Sequence, residues 1–303
     1  MSDTSNRSAQ AITRVSEGFS KAFVKTSRGT FHIRRYGEGG TPLLLLHGFP
    51  QSSECWNEVA PRLSSARDVI CMDLVGYGLS DAPAGGLNHL RYSKLEMAAD
   101  CLEVMSDLGI ERFDVAGHDR GALVAMRLAL NSDRIERLIL LDNLPTFVLW
   151  DRIATDPTFI PHWRAIAGPD GEDLLTAEWL EELMRDHVPS RSLNAFSPQA
   201  MHHYRRSWQD PARIHAFCED YRAGAGPDVE LDRADFAEGR RITIPSLVIW
   251  GRDFLGLAGE KPIAVWKRTF APEIEGAEVS GGHFNPEEAP EETADAIARF
   301  LAR

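Results

Sequence analysis

The segment Val115-Ala116-Gly117-His118-Asp119-Arg120-Gly121 constrains this chain more than any other. An apolar run enters a tight turn flanked by glycines, and a helical pattern starts directly behind it. Such a bend holds one side chain exposed between strand and helix, and here that side chain is Asp119. A hydroxyl at this point would attack a carbonyl carbon. A carboxylate instead displaces a leaving group from saturated carbon and forms an ester that water must then cleave. Carbon–halogen bonds and strained epoxides suit that chemistry better than amides or ordinary esters. Asp is also a favoured helix N-cap, so the chemical reading needs an oxyanion hole, a base and an orienting acid elsewhere in the chain.

The surroundings of this bend repeat its pattern. Residues 21–26 and 31–35 alternate about the turn Ser27-Arg28-Gly29 and predict a hairpin. Short apolar runs at 43–46, 69–72, 113–116 and 138–141 predict strands. Between them, residues 55–63, 94–108 and 122–130 carry apolar residues at helical spacing. Strands that are apolar throughout belong in a mainly parallel, doubly wound sheet covered on both faces. The alternation stops after Leu144. Residues 147–225 become rich in Trp, His and Arg, with helical patches at 178–184 and 198–207, and the alternation resumes with strands at 246–250 and 275–279 and a helix at 291–301. The expected organisation is a flexible tail over 1–18 and an α/β core over 19–146 and 226–303, with a helical cap over 147–225 inserted between its halves.

Composition narrows the partners. The 303 residues carry a net charge of -12, which disfavours nucleic acid and anionic membrane surfaces. Cys55, Cys71, Cys101 and Cys218 lack metal-ligand or paired spacing and read as buried thiols of a reducing compartment. Residues 1–10 are polar with no apolar stretch after them, and no run is long enough to span a bilayer. The expectation is a cytoplasmic protein that acts on a small molecule.

Five motifs carry a resemblance to a known family: Leu45-Leu46-His47-Gly48-Phe49-Pro50-Gln51, Asp73-Leu74-Val75-Gly76-Tyr77-Gly78, Gly117-His118-Asp119-Arg120-Gly121, Glu219-Asp220-Tyr221-Arg222-Ala223-Gly224 and Gly281-Gly282-His283-Phe284. From about residue 20 to the end the chain resembles α/β-hydrolase-fold proteins of the haloalkane dehalogenase and epoxide hydrolase branch, and among them the haloacetate (fluoroacetate) dehalogenases. The resemblance implies a hydrolase that uses no cofactor or metal and is often a homodimer. It implies Asp119 as covalent nucleophile, His283 as the base that activates water and Asp142 as the acid that orients it. Asp253, after the later strand, competes for that last role. The amides of Phe49 and Arg120 would form the oxyanion hole. In the cap, His162, Trp163 and Tyr221 match the donors that hold a leaving halide.

One position departs from the family. The fluoroacetate enzymes grip the substrate carboxylate with two arginines; this chain has Arg120 but carries Leu123 at the second position. A charge-assisted hydrogen bond is worth about 1.5–3 kcal/mol, so a carboxylate would be held more weakly and the pocket would be more apolar. Arg127 lies one helical turn further along the same face. The first reading is hydrolysis of small haloacids; the alternative is an epoxide hydrolase that uses the same Asp/His/Asp set. A non-catalytic hydrolase-fold binding protein is a third reading, and the complete catalytic set argues against it.

Overall fold

The structure, a computed structural model, describes residues 13–14, 18–257 and 259–303. Among the described residues nine strands form one sheet: β1 (Thr13–Arg14), β2 (Phe19–Thr26), β3 (Gly29–Tyr36), β4 (Leu43–Leu46), β5 (Val69–Met72), β6 (Phe113–His118), β7 (Ile135–Leu141), β8 (Ser246–Gly251) and β9 (Glu275–Val279). Their order is β1-β2-β3-β5-β4-β6-β7-β8-β9. Pairing is antiparallel from β1 through β3 to β5 and parallel from there to β9. The tail expected over 1–18 lies mostly outside the described residues, and Thr13–Arg14 departs from it by pairing with Ser20 and Lys21.

The apolar runs become central strands because both of their faces are covered. Successive side chains alternate across a sheet, and the two cores divide accordingly. Leu44, Leu46, Ile70, Met72, Val115, Leu138 and Leu140 pack on one face, with Met97, Cys101 and Val124 from the helices Lys94–Asp107 and Arg120–Asn131. Leu43, Leu45, Val69, Cys71, Ala116, Ile139 and Leu141 pack on the other, with Ile297 and Phe300 from the helix Pro290–Leu301. The helix expected over 55–63 is broken instead into a 3-10 turn, Ser53–Trp56, and a short helix, Ala60–Leu63. Pro61 falls in the first turn of the second piece, where its missing N–H costs least.

Between β7 and β8 the chain is helical from Thr146 to Ala237, apart from connecting loops. No linker marks residue 225. The helix Pro211–Ala223 runs through a π turn, Gly224–Asp228, directly into the helix Val229–Ala237. Pro227 lies inside that turn, and its ring and missing N–H are incompatible with regular α-helical bonding. All four cysteines are buried and free. Among the described residues no helix is long and apolar enough to cross a membrane.

Candidate active site

The bend after β6 forms as the glycines predict, and Asp119 takes the strained conformation φ 49°, ψ -117°. A non-glycine residue held there costs on the order of 1–3 kcal/mol, so the surroundings must enforce it. A Cβ on Gly117 would meet Gly121 O at 2.1 Å, and one on Gly121 would meet His47 O at 2.4 Å. One on Gly48 would lie 2.5 Å from the Asp119 Cβ. Only glycine at these positions lets β4, β6 and the helix behind them converge on the carboxylate. Asn143 Nδ2 donates to the Asp119 carbonyl at 2.5 Å and fixes the bend from β7.

The turn after β4 aims an amide at the same carboxylate. Phe49 N donates to Asp119 Oδ2 at 3.0 Å. His47 holds this turn in one tautomer: its Nε2 accepts from Leu74 N at 3.0 Å, so its Nδ1–H donates to Gly48 O at 2.8 Å. Burial lowers the His47 pKa, which keeps the ring neutral. Arg120 begins the next helix, where the first amides have no partner within the helix.

His283 faces Asp119 from the loop after β9. Its Nε2 lies 3.9 Å from Asp119 Oδ1, while its Nδ1 donates to Asp142 Oδ2 at 2.6 Å. That bond leaves Nε2 unprotonated and able to take a proton. Burial lowers the His283 pKa and so favours this neutral form at pH 7. Burial raises the Asp142 carboxyl, opposed by the Gly251 amide, which donates to Oδ1 at 3.0 Å. Asp253 is exposed and makes no bond to His283 among the described residues; its amide donates to Gly281 O. Asp142→Asn is therefore expected to lower turnover by about 10⁴-fold through the wrong tautomer, and Asp253→Asn to change it little. Steady-state rates of the two variants check this ranking.

A cavity of about 330 Å³ opens above these groups, with Asp119 and His283 on its floor and His162, Trp163, His187 and Tyr221 among its walls. Among the described residues, neither the Trp163 indole, the Tyr221 hydroxyl nor the His162 ring donates a hydrogen bond to the protein. Burial and the neighbouring His187, His283 and Arg120 lower the His162 pKa well below its usual value. The fold thus brings three polar groups to the cavity that the carboxylate lines.

Arg120 and Leu123, the residues expected to meet the substrate, are not among those that line the cavity. The Arg120 guanidinium is drawn to Asp220, with Nε 3.1 Å from Oδ1 and Nη2 2.7 Å from the carbonyl. It is covered by the rings of Tyr221 and Trp163, whose centroids lie 4.3 and 4.9 Å away. Asp220, despite its burial, is held well below the usual carboxylate range by Arg120 and Lys94. Leu123 is wholly buried in its helix. Arg127 is spent on Asp232 and Asp235.

Sequence reasoning missed His187, Asn143 and Glu288. Glu288 Oε2 accepts from Gly282 N at 2.9 Å and Oε1 from Phe284 N at 2.8 Å, so one carboxylate brackets His283. His187 O takes the His283 N–H at 3.1 Å, and His118 Nε2 donates to His283 O at 2.8 Å. The backbone of His283 is thus held on every side. Burial, opposed by those two amides, pushes the Glu288 carboxyl up to about 6. As pH falls through that value one oxygen gains a proton and ceases to be a good acceptor. Glu288→Gln, which puts an NH₂ against an N–H, is expected to slow turnover several-fold at pH 7, about the worth of one hydrogen bond. It should slow turnover much less near pH 5, where the native carboxyl is already protonated. A pH–rate profile reads the difference; a uniform loss at all pH would reduce Glu288 to a structural role.

A model of the α/β-hydrolase fold family matches residues 41–290. A fluoroacetate dehalogenase from Burkholderia sp is 36% identical, over 94% of this chain and 95% of that protein. A soluble epoxide hydrolase from Corynebacterium sp. (strain C12) is 33% identical, over 87% of this chain and 91% of its own length. The crystal structure of ALR0039 from Nostoc sp PCC 7120 superposes with a TM-score of 0.88 at 41% identity, covering 94% of this chain and 98% of that one. The chain belongs to the α/β-hydrolase family and is a hydrolase, similar to both a fluoroacetate dehalogenase and a soluble epoxide hydrolase.

Proposed function

We propose that this hydrolase cleaves carbon–halogen bonds of small haloacids such as haloacetates through an ester of Asp119. The Asp119 carboxylate displaces halide from the substrate carbon, with inversion at any stereocentre. His162, Trp163 and Tyr221 receive the halide. His283 Nε2 then takes a proton from water, and the oxygen of that water attacks Cγ of the ester, not the alkyl carbon. The oxyanion formed at Oδ2 accepts from the Phe49 amide, which already points there, and from the Arg120 amide. Collapse frees the hydroxy acid, restores Asp119 and releases the proton from His283. The observation that carries the reading is a set of three unspent polar side chains lining the same cavity as a carboxylate in the elbow position. An indole N–H can solvate a halide but does not deliver a proton, so Trp163 favours halide over alkoxide as leaving group.

A second reading, epoxide opening, draws support from the cavity walls. Among the described residues no Arg or Lys lines them. The Tyr221 hydroxyl can protonate an epoxide oxygen. A panel of chloroacetate, fluoroacetate and a styrene-type epoxide separates the two. Halide release with high KM for the haloacetates is the expected outcome, because among the described residues no Arg or Lys lines the cavity. Brisk diol formation with no halide release would make the protein an epoxide hydrolase.

A further inference from the structure

The wall that would receive the halide has a cation fixed behind it. The rings of Trp163 and Tyr221 meet edge to face, with centroids 5.5 Å apart and planes at 87°. The Arg120 guanidinium sits against both, 4.3 Å from the Tyr221 centroid and 4.9 Å from that of Trp163, and Arg120 is wholly buried. Bonds to the carboxylate and the carbonyl of Asp220 hold it in place. Gly224 lets the chain pass close over it, since a Cβ there would lie 3.1 Å from Arg120 Nη2. Asp220 does not belong to Arg120 alone. Lys94 pairs with the same carboxylate, and the Tyr77 hydroxyl donates to it at 2.6 Å. Asp228, the other carboxylate of the cluster, lies 3.4 Å from Lys94 and makes no bond to Arg120 among the described residues. Two cations therefore share the one carboxylate that both touch, and the charge of Arg120 is only partly cancelled where it meets the rings.

We propose that Arg120 is a positioning residue that promotes departure of the leaving group without touching it, by polarising the Tyr221 and Trp163 rings from behind. A cation against an aromatic face draws on the electron density of that ring. The phenol O–H and the indole N–H then donate more strongly to a developing anion. The positive field adds its own attraction, and in a buried wall it is screened far less than in water. Two shifts agree with this. Burial raises the Tyr221 hydroxyl and Arg120 opposes that rise, while Arg120 adds to the burial and the neighbouring histidines that lower the His162 pKa. The role in halide departure rests on the dehalogenase reading; the binding of an anion at the wall does not. A bare ion pair that tied the cap to the core would act differently, since its loss would disturb every step of the reaction alike.

The two half-reactions, read separately by intact mass, test the role. In a His283→Gln background the Asp119 adduct should form without being cleaved, so its appearance reports displacement alone. Arg120→Gln on that background should slow the loss of fluoride from fluoroacetate by about tenfold or more. It should slow the loss of bromide from bromoacetate much less, because fluoride is the poorer leaving group and depends most on its donors. With His283 in place, decay of the adduct after a single turnover should be unchanged. Arg120→Lys, which keeps a cation, should recover most of the loss. The double variant Arg120→Met/Asp220→Asn leaves neither of these groups as an unpaired buried charge and reads the same loss if the Gln variant fails to fold. Equal slowing of fluoride loss, bromide loss and ester cleavage would reduce Arg120 to an anchor of the cap. A raised KM with unchanged displacement would make it a grip on the substrate carboxylate. Either result overturns the proposal. Bromide binding, followed by quenching of tryptophan emission, needs no turnover and should weaken about tenfold in Arg120→Gln. Such weakening in a protein that releases no halide from any haloacid would uphold the polarised wall and remove the dehalogenase reading. Halide release by a protein whose bromide affinity Arg120→Gln leaves unchanged would do the reverse.

Discussion

His283→Gln is expected to stop the reaction half-way, with the substrate's alkyl group left on Asp119. Ester formation needs the carboxylate and a place for the leaving group, and His283 supplies neither. Ester cleavage needs a base to take a proton from water, and Nε2 is the ring nitrogen that faces Asp119 while Nδ1 is bound to Asp142. Glutamine keeps some of the polarity but has no basic nitrogen. General-base catalysis and its orienting triad are together worth about 10³- to 10⁴-fold or more. Steady-state turnover should fall by that order, and intact-mass analysis after substrate addition should show one alkyl adduct per chain. An unmodified mass together with a near-native rate would exclude His283 as the base.

Asp119→Ala should remove both halves of the reaction. Without the carboxylate no ester forms, so the adduct seen with His283→Gln must vanish in the double variant. Removing the nucleophile of a comparable covalent hydrolase costs about 10⁶-fold in turnover. Because Asp119 sits in a turn enforced by Gly48, Gly117 and Gly121, the fold should survive, and circular dichroism would verify it. Retained turnover in a folded Asp119→Ala protein would mean that water attacks the substrate directly.

What the sequence made legible is what is local or periodic. The strands at 43–46 and 69–72 match the structure residue for residue, because an apolar run bounded by turn residues reports its own burial; 275–279 also matches, although only Val279 of that strand is buried. The bend at Asp119 was legible because glycines on both sides leave few other conformations. Asp142, Asp253 and His283 each follow a recognisable strand, so the sequence left two candidates for the acid, and only the fold sets Asp142 against His283. Side-chain partners distant in sequence were not readable. Arg120 looked free to bind a substrate, yet it folds back onto Asp220, a hundred residues later. Nothing in the local pattern around either residue announces that pair. Glu288 is one acid in a Pro-Glu-Glu run, and only the folded loop shows that its two oxygens bracket His283. The helical segment was legible in kind, while at its expected end near 225 the chain continues through a π turn into a further helix.

A single turnover in oxygen-18 water tests the covalent ester at Asp119 directly. Water attacks the ester at Cγ, so one carboxylate oxygen of Asp119 leaves with the product and the oxygen of water stays on the enzyme. Protein in excess over chloroacetate, or over whichever substrate of the panel it turns over, should afterwards carry one heavy oxygen in the peptide that contains Asp119. The first product released should carry none. Label found only in the product, with the Asp119 peptide unchanged, would show that water attacks the substrate carbon itself and that no ester forms.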